Sequence, residues 1–150
     1  MKLVITLGLL LIAGVSAFAS STATQTVTFQ VSAINEIAVS GSPRAMHIAP
    51  RTDATDSSVT YALTTNCDNK KIMVALDAPV PEGIVLKVNL AAPSGAKSLG
   101  DVVCSTTPTD AVVGVSRVAE KGLTITCKAS TMKGDLTFTP GKLILTIADM

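Results

Sequence analysis

The sequence predicts an all-β protein, and three observations carry that prediction. Apolar side chains recur at every second position. Turn-forming residues separate these runs at intervals of roughly 8 to 12 residues, and no convincing stretch follows the 3.6-residue period of a helix. In the segment 24–34, Val27, Phe29, Val31 and Ala33 alternate with Thr26, Thr28, Gln30 and Ser32. Successive strand side chains point to opposite faces, so this segment offers one apolar face and one hydroxyl-rich face.

The alternation returns at Val59, Tyr61 and Leu63, at Ile72, Val74 and Leu76, and at Ile84, Leu86, Val88 and Leu90. Later in the chain come Leu123, Ile125 and Cys127, then Leu136 and Phe138, then Leu143, Leu145 and Ile147. Shorter runs lie at Ile37 to Val39, Met46 to Ile48, Val102 to Cys104 and Val112 to Val115. Between them, Gly41-Ser42-Pro43, Pro79 to Gly83, Pro93-Ser94-Gly95, Lys133-Gly134-Asp135 and Pro140-Gly141 supply preset or permissive backbone angles. Asn66-Cys67-Asp68-Asn69 fits the tip of a hairpin. The best helical candidate, Ala111 to Lys121, contains Gly114 and three valines before Val118, so at most one turn is expected there. The polar stretch Arg51 to Ser58 reads as a flexible loop. Together these features describe an antiparallel Ig-like β-sandwich of roughly 7–10 short strands.

A leader precedes that domain. Lys2, the apolar run Leu3 to Val15 and the Ala17-Phe18-Ala19 site form an export signal peptide, 1–19. The run is shorter than the roughly 20 residues that span a bilayer, although an uncleaved anchor is the other way to read it. Cleavage after Ala19 leaves 20–150 as a single β-sandwich domain with 18 threonines, 11 basic and 11 acidic residues. No transmembrane segment is expected in the mature chain. Extracellular medium, cell surface and periplasm all accept such a composition, and each permits disulfides.

Charge and residue usage narrow the chemistry. With 15% charged residues and a net charge of +1, the chain lacks the basic footprint of a nucleic-acid binder. A 47% hydrophobic content argues against disorder. His47 is the only histidine, so any triad or Cys-His mechanism must pass through it, and its place between Met46 and Ile48 puts it on the outward face of a short strand. Asp53, Asp56 and Asp68 match no calcium-loop spacing. No catalytic residue, metal site or cofactor is expected, and the chain reads as a non-enzyme.

Three cysteines allow one disulfide at most. Cys104 and Cys127 sit on strand-forming segments and are the disulfide candidate if those strands are neighbours, leaving Cys67 as a free thiol open to an intermolecular bond. The other reading has all three reduced and packed as small hydrophobes.

The chain ends carry the functional expectation. The first alternating strand has no charged residue from 24 to 34, and strand edges without charged guards pair with other strands. Val27, Phe29, Val31 and Ala33 are therefore the candidate self-association strand, unless both termini pair within their own domain. The layout resembles exported bacterial β-sandwich subunits of fimbriae or surface filaments in its leader, its mature length, its Thr/Ser-rich alternating strands and its strand-forming termini. The stretches Ala33 to Gly41 and Asn89 to Ala96 are similar to segments of secreted bacterial proteins of unassigned role. The chain differs from chaperone–usher pilins in that its cysteines begin at Cys67 and its end reads Ile147-Ala148-Asp149-Met150. The resemblance implies a self-associating, fimbria-like structural protein, as homo-oligomer or filament. The alternative is a secreted Ig-like adhesion module that recognises a carbohydrate or protein through loops such as Arg51 to Ser58, with Tyr61 as the aromatic nearby.

Overall fold

A computed structural model of the chain describes residues 26, 28–134 and 136–150. The expected leader and Val27 lie outside the described residues. Among the described residues there are eleven strands and no helix: β1 (Asn35–Ser40), β2 (Met46–Ile48), β3 (Ala54–Thr65), β4 (Lys70–Leu76), β5 (Ile84–Leu90), β6 (Lys97–Ser98), β7 (Val102–Val103), β8 (Thr109–Val115), β9 (Val118–Thr131), β10 (Leu136–Phe138) and β11 (Leu143–Asp149). All pairings are antiparallel. They form a five-stranded sheet in the order β1-β3-β9-β5-β7, a four-stranded sheet β11-β4-β8-β6, and a two-stranded ribbon β10-β2.

The period-two pattern explains where the core sits. Val59, Tyr61 and Leu63 of β3, Leu86, Val88 and Leu90 of β5, and Ile125, Cys127 and Ala129 of β9 turn one face of the large sheet inward. Ile72, Val74 and Leu76 of β4 with Ala111, Val112 and Val115 of β8 do the same for the second sheet, and Met46, Ile48 and Phe138 contribute from the ribbon. These residues form a single buried cluster. Burying a Val, Leu or Ile side chain stabilises the fold by about 1.5–3 kcal/mol.

Among the described residues no strand is hydrogen-bonded to its neighbour in sequence; each connection carries the chain from one sheet to another. The segment Asn66–Asn69 is therefore not a hairpin tip. It is a corner that takes β3 of the large sheet into β4 of the smaller one. The stretch Ala111 to Lys121 holds no helical turn: β8 ends at Val115, Ser116 and Arg117 cross between sheets, and β9 starts at Val118. Its branched valines suit the pleated surface better than a helix. Gly114 has φ 73° and lies where β8 runs three residues against two of β4, between Val112 and Val115. This is a bulge that a left-handed residue accommodates. Gly122 (φ 71°) does the same on β9, between Glu120 and Leu123.

Two further expectations are corrected. Arg51 to Ser58 is not wholly a loop, because β3 begins at Ala54, where the chain finds a partner in β9 (Ala54 opposite Ala129). The alternating segment that reads as the first strand forms no strand over residues 28–34 among the described residues, and the ladder starts at Asn35. The cause is a missing partner. The ladder of β1 on β3 ends at Asn35 opposite Thr65, and β3 then leaves for the other sheet.

Candidate functional site

Each of the two larger sheets has one long edge and one short edge. β7 and β6 are edges of two residues each, whereas β1 has six and β11 has seven. Short edge strands offer little ladder for a foreign strand, and long ones offer much. Among the described residues neither β1 nor β11 has a second ladder partner, and the two strands lie close to each other.

These two edges are weakly buried and nearly uncharged. In β1 only Ile37 is half-buried and all other residues are exposed, including Val39 at 41%. In β11 the inward residues Leu143, Leu145 and Ile147 are only half-buried, while Ile144 on the other face is 42% exposed. Glu36 and Asp149 are the only acidic or basic residues in the two strands, and Asp149 is engaged by Lys70. Where β1 ends and β11 begins, a cleft of about 490 Å³ opens between Val39, Pro43, Val59, Pro140 and Leu143.

At the opposite end of β1 the chain is held by a polar latch. The Ile34 N–H donates to Asn66 Oδ1 at 2.7 Å, Asn66 Nδ2 donates to the Ser32 carbonyl at 2.8 Å, and the Asn66 N–H donates to the Ile34 carbonyl at 3.3 Å. Behind it, buried Thr65 donates through Oγ1 to Asn35 Oδ1 at 2.7 Å and accepts the Cys67 N–H at 3.1 Å. The sequence position of Asn66 does not mark it, because nothing in Asn66-Cys67-Asp68-Asn69 separates it from Asn69. Only the departure of β3 from the sheet gives it this task.

The candidate self-association residues can be placed except for Val27, which lies outside the described residues. Phe29 and Val31 are 84% and 78% exposed, Ala33 is exposed, and none of the three belongs to a strand. The cysteines are all free. Cys104 directly follows β7, with its N–H on the Leu86 carbonyl at 2.9 Å, and Cys127 sits in β9 opposite Val88. β5 therefore lies between them, and the premise of neighbouring strands is not met. Two interstrand spacings are roughly 9.5 Å, beyond the reach of a disulfide without backbone movement. Burial pushes both thiols up to about 11, with the proximity of Cys127 adding to the effect on Cys104. Cys67 is half-buried, its Sγ 3.4 Å from Asn66 Oδ1.

The remaining candidates hold structural places. His47 is exposed on β2 between buried Met46 and Ile48, opposite Thr137. Tyr61 is 1% exposed and donates its hydroxyl to the Ala91 carbonyl at 2.5 Å, so it is a core residue and not a sugar-stacking platform. Burial of Asp56 works against its charge, but the Arg44 N–H (2.9 Å) and the Ser58 N–H and hydroxyl outweigh it and hold the carboxyl below its usual range. Those bonds fasten the Arg44 segment to the start of β3. Among the described residues no group of three or more His, Cys, Asp or Glu could hold a metal ion, and no helix is long and apolar enough to cross a membrane.

Comparison with known proteins returns no match: no family model, no curated protein and no solved structure matches the chain.

Proposed function

We propose that this is a non-enzymatic exported structural protein that self-associates into an oligomer or surface filament. In this reading the chain is processed after Ala19 and 20–150 folds as an Ig-like β-sandwich. The neutral segment from Thr26 to Ile34 then pairs with a sheet edge of a second copy. The observation that carries it is the coincidence of two features. The chain holds an uncharged alternating segment, with Phe29 and Val31 exposed and in no strand. The same chain leaves two long adjoining edges, β1 and β11, without charged guards along most of their length. Main-chain hydrogen bonds would supply the affinity, and alternate apolar side chains would set the register.

Sedimentation velocity and negative-stain microscopy of residues 20–150 test it. The expected result is a concentration-dependent series of oligomers or filaments. The double variant Phe29→Lys, Val31→Lys should be monomeric with an unchanged urea midpoint, because both side chains are exposed and surface changes cost within about 0.5 kcal/mol. A wild-type chain that stays monomeric at every concentration reached would overturn the reading.

A further inference from the structure

We propose that Asn66 is a positioning residue for self-association: its side-chain amide continues the sheet where β3 departs and holds Ser32–Ile34 extended in line with β1. The inference rests on the self-association reading and names the residue that sets its geometry.

The argument starts from what a regular ladder would need. Past Asn35 opposite Thr65, the next antiparallel pair is Ile34 with residue 66. The Asn66 N–H makes its regular bond to the Ile34 carbonyl. The Ile34 N–H would ordinarily meet the Asn66 main-chain carbonyl, but it meets Asn66 Oδ1 instead. The Nδ2 group then reaches the Ser32 carbonyl, further along β1's line. One side chain thus offers an acceptor and a donor in the order a partner strand would. Asparagine suits this because a carboxylate cannot donate, a lysine cannot accept, and a hydroxyl is too short to reach both groups.

Such a splint matters because strand faces depend on phase. In an extended chain Phe29, Val31 and Ala33 share parity with Ile37, the one side chain of β1 that packs against the core. Keeping residues 32–34 extended keeps Ala33 in phase with the inward face of β1. A slip of one residue would turn it to the other face. The latch is also backed from within, since Thr65 fixes Asn35 on one side and the Cys67 N–H on the other. Its own atoms lie outside the core, so it can be removed without opening a cavity.

The test uses residues 20–150 with Asn66→Ala, Asn66→Asp and the double variant Phe29→Lys, Val31→Lys. It reads amide exchange at Ile34, the rate of association by light scattering, and the urea midpoint. In Asn66→Ala, exchange at Ile34 should accelerate at least roughly tenfold, the scale of one lost hydrogen bond. Association should slow by a similar factor, while the folding equilibrium weakens by no more than about the same tenfold. Asn66→Asp keeps the acceptor but repels the Ser32 carbonyl, so it should protect Ile34 in part and still associate slowly. Should Asn66→Ala not fold, Ile34→Pro removes the same bond from the other side and leaves the Ile34 carbonyl able to accept the Asn66 N–H. Association of Asn66→Ala at the wild-type rate, with the double variant monomeric, overturns the role of Asn66 and leaves self-association standing. A wild-type chain that never associates removes both.

Discussion

Tyr61 shows how much a single buried polar atom constrains this molecule. It is the largest of the fully buried side chains, and its hydroxyl reaches the Ala91 carbonyl just after β5. Burial, with the Glu120 carboxylate adding to it, pushes the phenol up to about 12 from 10.0. Cys104 and Cys127 are pushed up to about 11 from 9.0, in both cases chiefly by burial. All three shifts have the same sign. The folded chain holds these protons more tightly than the unfolded chain, so the stability these three groups contribute is fully present below pH 9. It then falls as the unfolded thiols ionise above 9 and the unfolded phenol above 10, until the native groups themselves titrate near 11 and 12. Each group steepens the loss by at most about 1.4 kcal/mol per pH unit. Tyr61→Phe should cost about 1–2 kcal/mol at neutral pH, through the stranded Ala91 carbonyl, and its urea midpoint should decline more gently than wild type between pH 10 and 11. Parallel declines in the two proteins would show that the phenol does not ionise on unfolding in this range.

At the scale of the strand, legibility depends on whether a segment has a partner. Runs such as Leu86, Val88 and Leu90 or Ile125 and Cys127 are read correctly because alternation reports burial, and these strands are buried on one face by both sheets. The segment 26–34 has a pattern of the same quality, yet residues 28–34 form no strand, because the pattern contains no information about where β3 leaves the sheet. The bulges at Gly114 and Gly122 were equally hidden: glycine signals permissive backbone, but only the pairing shows the extra residue. The same reasoning separates the two open edges. β11 carries Leu143 to Ala148 without a charge, and Ile144 faces away from the core. Ile144→Lys should therefore guard this edge as charged residues do elsewhere, lowering the association rate severalfold with a urea midpoint within about 0.5 kcal/mol of wild type. Unchanged association would assign the receiving edge to β1 instead, and Ala38→Lys on that strand is the matching measurement.

For the molecule as a whole, the all-β class follows from side-chain period and turn chemistry, but the sheet order does not. Every connection among the described residues passes between sheets, so each ladder joins segments distant in sequence, such as β3 with β9 or β4 with β11. Local residues cannot announce such pairings, which are decided by the joint burial of the whole core. Charge, by contrast, is legible at once and has a consequence for assembly. Without Lys2 the chain has 11 basic and 11 acidic residues. Several are already satisfied locally in the pairs Lys70–Asp149, Lys71–Asp110, Lys128–Asp101, Arg117–Asp68 and Lys133–Glu82. Surface pairs of this kind are worth about 0–1 kcal/mol each, and they leave little net field to steer or repel a second copy. If the contact between copies is made by the neutral segment 26–34 on a neutral edge, screening has almost nothing to act on. Raising salt from roughly 50 to 500 mM, which shortens the screening length from about 14 to about 4 Å, should change the association constant by less than about threefold. Light scattering across that series measures it. A steep fall with salt would mean that charged side chains make the contact, and would move the interface away from the two uncharged strands.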